Sequence, residues 1–263
     1  MTAIHINGVN KVFSSQGGEV VALRDIDLHI ASGEFICLLG PSGCGKSTLL
    51  NAIAGFSHPT SGRILVGDKP VLEPGPDRGM VFQEYALFPW MTIEKNIAFG
   101  LEVAGRSASE IKERVDFLLN MLKLQDFRAR YPKELSGGMR QRVAIARVLA
   151  LESPVMLMDE PFGALDALTR RNLQDELLKI WKTFGTTIVF VTHSIEESVY
   201  LADRTIVMTY RPGTIKRDVP ITLERPRDPA DPEFNRIKRM LGELVMEEQQ
   251  RHENAERLTA TAD

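Results

Sequence analysis

The sequence predicts an α/β protein whose sheet is mainly parallel, and three patterns lead to this fold class. Three apolar runs are typical of strands that are covered on both faces: FICLLG (35–40), VMLMDE (155–160) and TTIVFVTH (186–193). Between the second and third runs, apolar residues such as Leu173 and Leu177 recur at helical spacing. Because strands and helices alternate, we expect parallel strands that are joined by crossover helices.

Two other regions add to this core. Near the N-terminus, residues 4–13 and 22–30 alternate apolar and polar side chains, as half-buried strands do. Between residues 90 and 151 the pattern is helical, and no strand is predicted. One apolar face of this region is formed by Ile111, Val115, Leu118, Leu119 and Leu122. We therefore predict a helical subdomain at 90–151, inserted into a discontinuous core of residues 1–89 and 152–225.

A linker and a helical tail are predicted at residues 226–263. Three prolines, Pro226, Pro229 and Pro232, interrupt regular structure at the start of this region. The helical stripe that follows them consists of Phe234, Ile237, Leu241 and Leu244. A helix of this kind either covers the chain's own core or acts as a regulatory or partner-binding element, and the sequence leaves both interpretations open.

Composition and charge narrow the function classes. The chain contains 43% hydrophobic and 25% charged residues, as globular proteins do, and its net charge of −3 provides no basic field for nucleic acid. No apolar run approaches the roughly 18–20 residues that cross a bilayer, and the N-terminus lacks a signal-peptide pattern. Cys37 and Cys44 suit a reducing cytosol, without a disulfide. We therefore expect no nucleic-acid partner and only a peripheral role at a membrane.

The stretch GPSGCGKS (40–47) matches the phosphate-binding pattern G-x-x-x-x-G-K-[ST] at every fixed position, between a predicted strand and a predicted helix. The glycines let the backbone wrap around phosphates. Lys46 is placed to reach the β- and γ-phosphate oxygens, and the Ser47 hydroxyl to bind Mg²⁺. The predicted ATP-binding residues of this loop are Gly40, Pro41, Ser42, Gly43, Cys44, Gly45, Lys46, Ser47 and Thr48.

Four polar residues are predicted to surround the phosphates. Asp159 and Glu160 end a buried strand, at the edge where α/β sheets bind ligands, so that Asp159 can join the Mg²⁺ shell and Glu160 can polarise the attacking water. His193 closes the next buried strand and can contact the γ-phosphate and hold that water. Gln83 follows another apolar stretch, and its amide can bind Mg²⁺ or the water. We predict Glu160, His193 and Gln83 as catalytic and Ser47, Gln83 and Asp159 as Mg²⁺ ligands.

The segment after Gln83 is unusually apolar for a junction between domains. It contains Tyr85, Leu87, Phe88 and Trp90. These side chains either pack the hinge of the helical subdomain or form a surface that receives a partner helix, and one segment can do both.

A second glycine-rich stretch, LSGGMRQR (135–142), runs into a predicted helix. Free backbone N–H groups and the positive end of a helix dipole favour an anion there, although no lysine is present. The candidate anion-binding residues are Ser136, Gly137 and Gly138.

Together these motifs resemble the ATP-binding subunit of ABC transporters over residues 3–225. GPSGCGKS resembles its Walker A motif, VMLMDE its Walker B motif, LSGGMRQR its signature, and Gln83 its Q-loop. Ala164, Leu165 and Asp166 resemble its D-loop, His193 resembles the switch histidine, and Phe13 lies where an aromatic ring stacks on adenine. The resemblance implies a P-loop (RecA-like) core with an N-terminal antiparallel β subdomain, an inserted helical subdomain, and ATP and Mg²⁺ as ligands. It also implies a head-to-tail dimer in which 136–138 of one copy close over the nucleotide of the other.

Longer segments resemble one sub-family, the bacterial importers of nitrate, sulfonates and taurine. These segments are GPDRGMVFQ, LFPWMTIEKNIAFGL, DEPFGALDALTR and YRPGTIKRDVPITLERPRD. The resemblance implies an integral membrane permease, indirectly a periplasmic solute-binding protein, and a peripheral location on the cytoplasmic face of the inner membrane. Met139 departs from the family pattern, which often has glutamine there. The sequence names neither the solute nor a role for Met139.

Other ATPase classes fit less well. A P-loop kinase has no need for LSGGMRQR or for a glutamate directly after Asp159. DNA-repair and chromosome-organising ATPases with the same signature insert a long coiled coil, whereas the stretch between Ser47 and Ser136 accommodates only a compact subdomain. An ATPase of a lipid-trafficking or export system remains the closer alternative, because the catalytic motifs do not separate import from export.

Overall fold

The computed structural model describes residues 2–15 and 18–260 of the 263-residue chain. Within these ranges the elements are, in order, β1 (Ile4–Ser15), β2 (Gly18–Ile30), β3 (Phe35–Leu39), α1 (Lys46–Ala54), β4 (Ser61–Val66), β5 (Lys69–Pro70), β6 (Arg78–Val81), α2 (Ile93–Val103), α3 (Ala108–Met121), α4 (Gly137–Ala150), β7 (Val155–Asp159), α5 (Ala167–Phe184), β8 (Thr187–Thr192), α6 (Ile195–Leu201), β9 (Arg204–Met208), β10 (Ile215–Pro220) and α7 (Pro232–Ala260). The chain divides into two compact units, one of Met1–Pro74 with Thr187–Asp263 and one of Gly75–Thr186.

The first unit contains an antiparallel sheet in the order β2-β1-β4-β5. Ile4 is opposite Ile30 on β2 and opposite Val66 on β4. Ile4 and Ile6 on β1 and Ile26, Leu28 and Ile30 on β2 are buried, and the residues that alternate with them reach the surface, so the predicted alternation is confirmed over 4–6 and 26–30. Beyond Ile6 the register of β1 against β2 shifts, and the strict alternation is interrupted there. The N-terminal antiparallel sheet predicted from the resemblance is therefore present.

The first unit also contains parallel strands. β3 runs parallel to both β8 and β9, whereas β10 pairs with β9 in the antiparallel sense. All residues of β3 and β8 are buried, which explains why both strands read as continuous apolar runs. The registers pair Leu39 with Thr192, so the carboxyl ends of β3 and β8 lie at one edge.

The second unit combines one parallel strand pair with helices. β6 and β7 are parallel, with Val81 opposite Met158. Between residues 90 and 151, all of which the structure describes, the chain forms α2, α3, α4 and two short 3-10 turns but no strand. The α/β fold class is thus confirmed, whereas the limits of a separate helical subdomain at 90–151 stay a prediction.

The tail helix α7 packs on the first unit. Phe234, Ile237 and Leu241 are buried, and Lys238 forms an ion pair with Glu196 of α6 at 2.7 Å. These contacts favour the interpretation that α7 covers the chain's own core. Among the described helices, α7 included, none is long and apolar enough to cross a membrane.

Candidate nucleotide site

The predicted phosphate loop connects β3 to α1 and is shaped by its glycines. Gly43 and Gly45 have φ angles of 77° and 99°, in the left-handed region that favours glycine. A Cβ atom on Gly45 would lie 2.8 Å from Leu23 Cδ2 and 3.0 Å from the carbonyl oxygen of Ala22, so a side chain does not fit there. Because Gly45 is the N-cap of α1, the loop leads directly to the positive end of this helix.

Lys46 is held inside the loop by backbone oxygens. Its side-chain Nζ donates to the carbonyl oxygens of Gly40 at 2.8 Å and Pro41 at 2.9 Å, and the residue is only 5% exposed. The ammonium is thus enclosed by the backbone of the loop, close to the residues that were predicted to bind phosphate. This position fits the predicted role of Lys46.

Cys44 is a packing residue of the same loop. The thiol is buried, and burial raises its pKa, so the sulfur is held as a neutral thiol. A Cβ atom on Gly40 would lie 2.8 Å from Cys44 Sγ, which shows how closely the thiol packs under the start of the loop. Cys37 is also a buried free thiol, so the predicted absence of a disulfide is confirmed.

His193 lies at the same sheet edge as the phosphate loop. It directly follows Thr192, whose register partner Leu39 directly precedes Gly40. The Thr192 hydroxyl donates to Glu197 Oε2 at 2.5 Å and also accepts the N–H of Ser194 at 3.0 Å, which turns the chain so that His193 is exposed. Sequence patterns did not reveal this buried Thr192–Glu197 contact, because it joins two residues with no motif of their own.

Phe13 presents an exposed ring. It is 47% exposed on β1, and the ammonium of Lys11 lies 5.0 Å from the centre of the ring. An exposed aromatic face with a cation beside it is suited to stacking on a flat base.

In the second unit, Gln83, Asp159 and Glu160 follow two paired strands. Gln83 lies two residues after β6, and Asp159 is the last residue of β7, so both are at one edge of this strand pair. Glu160 has a φ angle of 42°, a left-handed conformation that costs about 1–3 kcal/mol in a residue other than glycine. Such strain is typical of active sites, and here it occurs at the residue that was predicted to polarise water.

The signature stretch begins helix α4. Ser136 is the N-cap, and its Oγ accepts the N–H of Met139 at 3.3 Å. A Cβ atom on Gly138 would lie 2.6 Å from Thr169 Cγ2, and one on Gly137 would lie 3.1 Å from Leu165 Cδ2. Close packing therefore requires glycine at position 138 and leaves little room at position 137, which the sequence pattern did not indicate.

Asp166 caps helix α5. Its side chain accepts the N–H of Thr169 at 3.0 Å, and this hydrogen bond lowers the pKa of the carboxyl group. The carbonyl of the preceding Leu165 accepts from Arg170 Nη2 at 2.8 Å. These two hydrogen bonds, both to the first turn of α5, hold Leu165 and Asp166 in place.

Hydrogen bonds from the fully buried Asn96 hold the apolar segment after Gln83 in place. Its side-chain amide donates to the carbonyl oxygens of Phe88, Met91 and Thr92 at 3.0–3.2 Å. Phe88 packs on Phe99 with 4.7 Å between ring centres, which supports hinge packing. Trp90 is 70% exposed, which supports a surface for a partner. Phe88 thus favours packing within the hinge, and Trp90 favours a surface that receives a partner helix.

The predicted site residues fall into two groups. The first unit holds Phe13, residues 40–48 and His193, and the second holds Gln83, residues 136–138, 159–160 and Asp166. In the first unit the phosphate loop and His193 lie at one sheet edge, and in the second Gln83, Asp159 and Glu160 lie at the ends of β6 and β7. The starts of α4 and α5 lie close together, as Gly138 and Thr169 show, whereas Phe13 lies on β1 of the other sheet.

Known proteins match this chain over most of its length. The ABC transporter family pattern matches residues 23–163. The nitrate import ATP-binding protein NrtD of Synechocystis sp. is 48% identical over 236 residues, covering 90% of this chain and 89% of that protein. The aliphatic sulfonates import ATP-binding protein SsuB of Bacillus subtilis is 46% identical over 92% of this chain and 94% of that protein. The taurine import ATP-binding protein TauB of Jannaschia sp. is 50% identical over 83% of this chain and 82% of that protein.

A solved structure agrees with the sequence relatives. It is a dimeric post-hydrolysis state of the ATP-binding cassette MJ0796 bound to ADP and Pi, with a TM-score of 0.74 and 32% identity, and it covers 84% of this chain and 100% of that one. With a matching family pattern, relatives near 50% identity and a shared cassette fold, the chain belongs to the ABC transporter family as an ATP-hydrolysing ATP-binding subunit.

Proposed function

We propose that this ATPase powers the uptake of a small anionic solute, such as nitrate, a sulfonate or taurine, through a separate membrane permease. The observation that carries this proposal is the likeness to three import ATP-binding proteins, at 46–50% identity. The names of these relatives favour import over the lipid-trafficking or export alternative.

ATP would bind with its phosphates in the loop 40–48 and its adenine against Phe13. Support comes from the Lys46 ammonium, which the Gly40 and Pro41 carbonyl oxygens hold within the loop, and from the exposed Phe13 ring. His193 would contact the γ-phosphate, because it follows the strand that neighbours β3 at the same edge.

Mg²⁺ would be held by Ser47, Gln83 and Asp159 together with phosphate oxygens. A hydroxyl, an amide oxygen and a carboxylate are hard oxygen donors of the kind that Mg²⁺ prefers, and this ion needs few protein ligands. The bound ion would neutralise phosphate charge.

Glu160 would act as the general base. Its carboxylate would accept a proton from water as the water oxygen attacks the γ-phosphorus and the bond to the ADP oxygen breaks. Glu160→Gln should therefore reduce hydrolysis by about 100-fold or more, measured as phosphate release, while the protein still binds ATP. Turnover near that of the wild type would contradict this assignment.

Two copies would associate head to tail, with residues 136–138 of each closing over the nucleotide of the other. The N-terminus of α4, where Ser136 is the N-cap, supports this arrangement. The dimeric state of the related cassette supports it as well. Closure would move permease helices that contact the segment 83–90, where Trp90 is exposed. The subunit would lie peripherally on the cytoplasmic face of the bacterial inner membrane, with a periplasmic binding protein delivering the solute.

Transport in proteoliposomes tests the whole proposal. The chain would be co-purified with the permease encoded beside it and mixed with the neighbouring binding protein. We expect ATP-dependent accumulation of one of labelled nitrate, taurine or an alkanesulfonate, and none with Glu160→Gln. ATP hydrolysis that moves lipid but none of these anions would overturn the import proposal.

A further inference from the structure

The segment YRPG (210–213), which follows β9, lies directly against the phosphate loop. Arg211 Nε donates to the carbonyl oxygen of Gly43 at 3.2 Å. A Cβ atom on Gly43 would lie 3.5 Å from Arg211 Nη2 and 3.9 Å from Tyr210 Cε2. A Cβ atom on Gly213 would lie only 2.3 Å from the carbonyl oxygen of Cys44, so glycine is required there for the two backbones to meet.

This contact directs one N–H group into the loop. In a trans peptide the C=O and N–H bonds point in opposite directions, so a hydrogen bond that holds the Gly43 carbonyl outward turns the Cys44 N–H inward. The Cys44 N–H indeed points at the carbonyl oxygen of Pro41, at 3.4 Å, and that oxygen also accepts from Lys46 Nζ. Arg211 therefore holds the peptide whose N–H shares its acceptor, the Pro41 carbonyl oxygen, with the lysine ammonium.

The YRPG segment is itself anchored to β2. The Gly213 N–H donates to the Ala22 carbonyl at 3.0 Å, and the Arg24 N–H donates to the Gly213 carbonyl at 2.9 Å. Ala22 and its neighbour Leu23 are also the residues that limit space at Gly45. β2, the YRPG segment and the phosphate loop thus form one packed group within the first unit.

The far end of α7 holds the YRPG segment from the other side. The Tyr210 N–H donates to Glu248 Oε2 at 3.0 Å, and the Tyr210 ring stacks on His252 with 3.9 Å between ring centres. The Glu248 side chain is 1% exposed and pairs with Lys216 at 2.7 Å. The charge-assisted hydrogen bond from the Tyr210 N–H to Glu248 therefore connects the YRPG segment to α7, and Lys216 compensates the buried charge.

We propose that the YRPG segment is a brace that sets the conformation of the phosphate loop, and that α7 holds this brace in place through Glu248. Arg211 is then a positioning residue for nucleotide binding, and the tail helix supports the loop in addition to covering the core. The inference rests on the proposed assignment of residues 40–47 as the phosphate loop.

Calorimetric binding of Mg-ADP, which involves no hydrolysis, tests the brace. Arg211→Ala should weaken binding about threefold to tenfold and raise the KM for ATP, with a smaller change in kcat. Arg239→Ala, which removes an exposed arginine of α7, is the matched control and should bind like the wild type. Arg211→Ala binding like this control would overturn the proposal. If Arg211→Ala fails to fold, Arg211→Lys is measured instead and should show an intermediate loss, with wild-type affinity overturning the proposal.

A second variant tests the part played by α7. Glu248→Gln lies outside the phosphate loop but should also weaken Mg-ADP binding, and the double variant with Arg211→Ala should lose less than the two single losses combined. Unchanged affinity for Glu248→Gln, or full additivity, would exclude α7 from the brace. Lys46→Ala separates this inference from the proposed function, because equal affinity of wild type and Lys46→Ala would refute the phosphate-loop assignment itself.

Discussion

Arg147 on α4 donates through Nη1 to the carbonyl oxygen of Ala86 at 2.6 Å, three residues beyond Gln83. Tyr85 and Ala86 have φ angles of 64° and 48°, so this hydrogen bond stabilises a segment with two left-handed residues. Burial lowers the pKa of Arg147, and the Phe88 ring, 5.4 Å from the guanidinium carbon, offers a second compensating contact. A hydrogen bond therefore connects helix α4, which begins at the signature stretch, directly to the segment after Gln83.

Replacing Arg147 should loosen this segment. Arg147→Met keeps a long side chain but removes the donor, so we expect the free energy of unfolding to fall by about 1–2 kcal/mol and ATP hydrolysis to decrease. Urea denaturation and phosphate release measure the two effects. Arg106→Met, at a surface arginine, should change stability by less than about 0.5 kcal/mol, and equal behaviour of the two variants would contradict the prediction.

Gly138→Ala should be destabilising because the added methyl group has no room. The new Cβ atom would lie 2.6 Å from Thr169 Cγ2, and overpacking of this kind costs about 1–3 kcal/mol. The matched control is Gly242→Ala within α7, where the Cβ atom would lie 3.8 Å from Ile195 Cδ1. This control should gain about 0.5–1 kcal/mol from the higher helix propensity of alanine. Thermal denaturation that shows a gain in both variants would rule out tight packing at Gly138.

Mixed subunits test the proposed head-to-tail dimer. Ser136→Arg damages the signature and Lys46→Ala damages the phosphate loop, so each homodimer should be inactive. In the mixed dimer one composite site combines an intact Lys46 with an intact Ser136, and we expect partial recovery of ATP hydrolysis, to no more than about half of the wild-type rate. No recovery with a confirmed mixed dimer, or full recovery, would argue against two shared sites.

Low pH should weaken the contacts that Glu248 of α7 makes with Tyr210 and Lys216. Burial raises the pKa of Glu248, but hydrogen bonds from Lys216 and the Tyr210 N–H outweigh this effect and hold the pKa below its usual value of 4.5. A carboxyl group with a lowered pKa in the folded state contributes stability above the unfolded-state value and loses it as the pH falls through the folded-state value. We therefore expect the Tm of the wild type to decrease when the pH is lowered below about 4.5. The Tm of Glu248→Gln should decrease less steeply over the same pH range. Identical pH profiles would show that Glu248 contributes nothing.

Local patterns in the sequence were enough for the strands and helices that have a clear period or a clear signal at their ends. The apolar runs at 35–40, 155–160 and 186–193 became β3, β7 and β8, because buried parallel strands need apolar side chains on both faces. The helix predicted after the phosphate loop is α1, which ends at Ala54 with Gly55 as its left-handed C-cap. The sequence did not predict five short strands, β4, β5, β6, β9 and β10, since such short segments establish no clear period.

The sequence by itself determined the ATPase family and the composition of the candidate site, because a glycine loop, a helix N-terminus and a strand-end carboxylate are encoded by neighbouring residues. Only the tertiary structure decided which distant residues support that site. The contact of Arg211 with Gly43 spans 168 residues and that of Tyr210 with Glu248 spans 38. Such contacts depend on strand order and packing, which no local pattern specifies. The proposed role of the YRPG segment could therefore be inferred only from the folded structure.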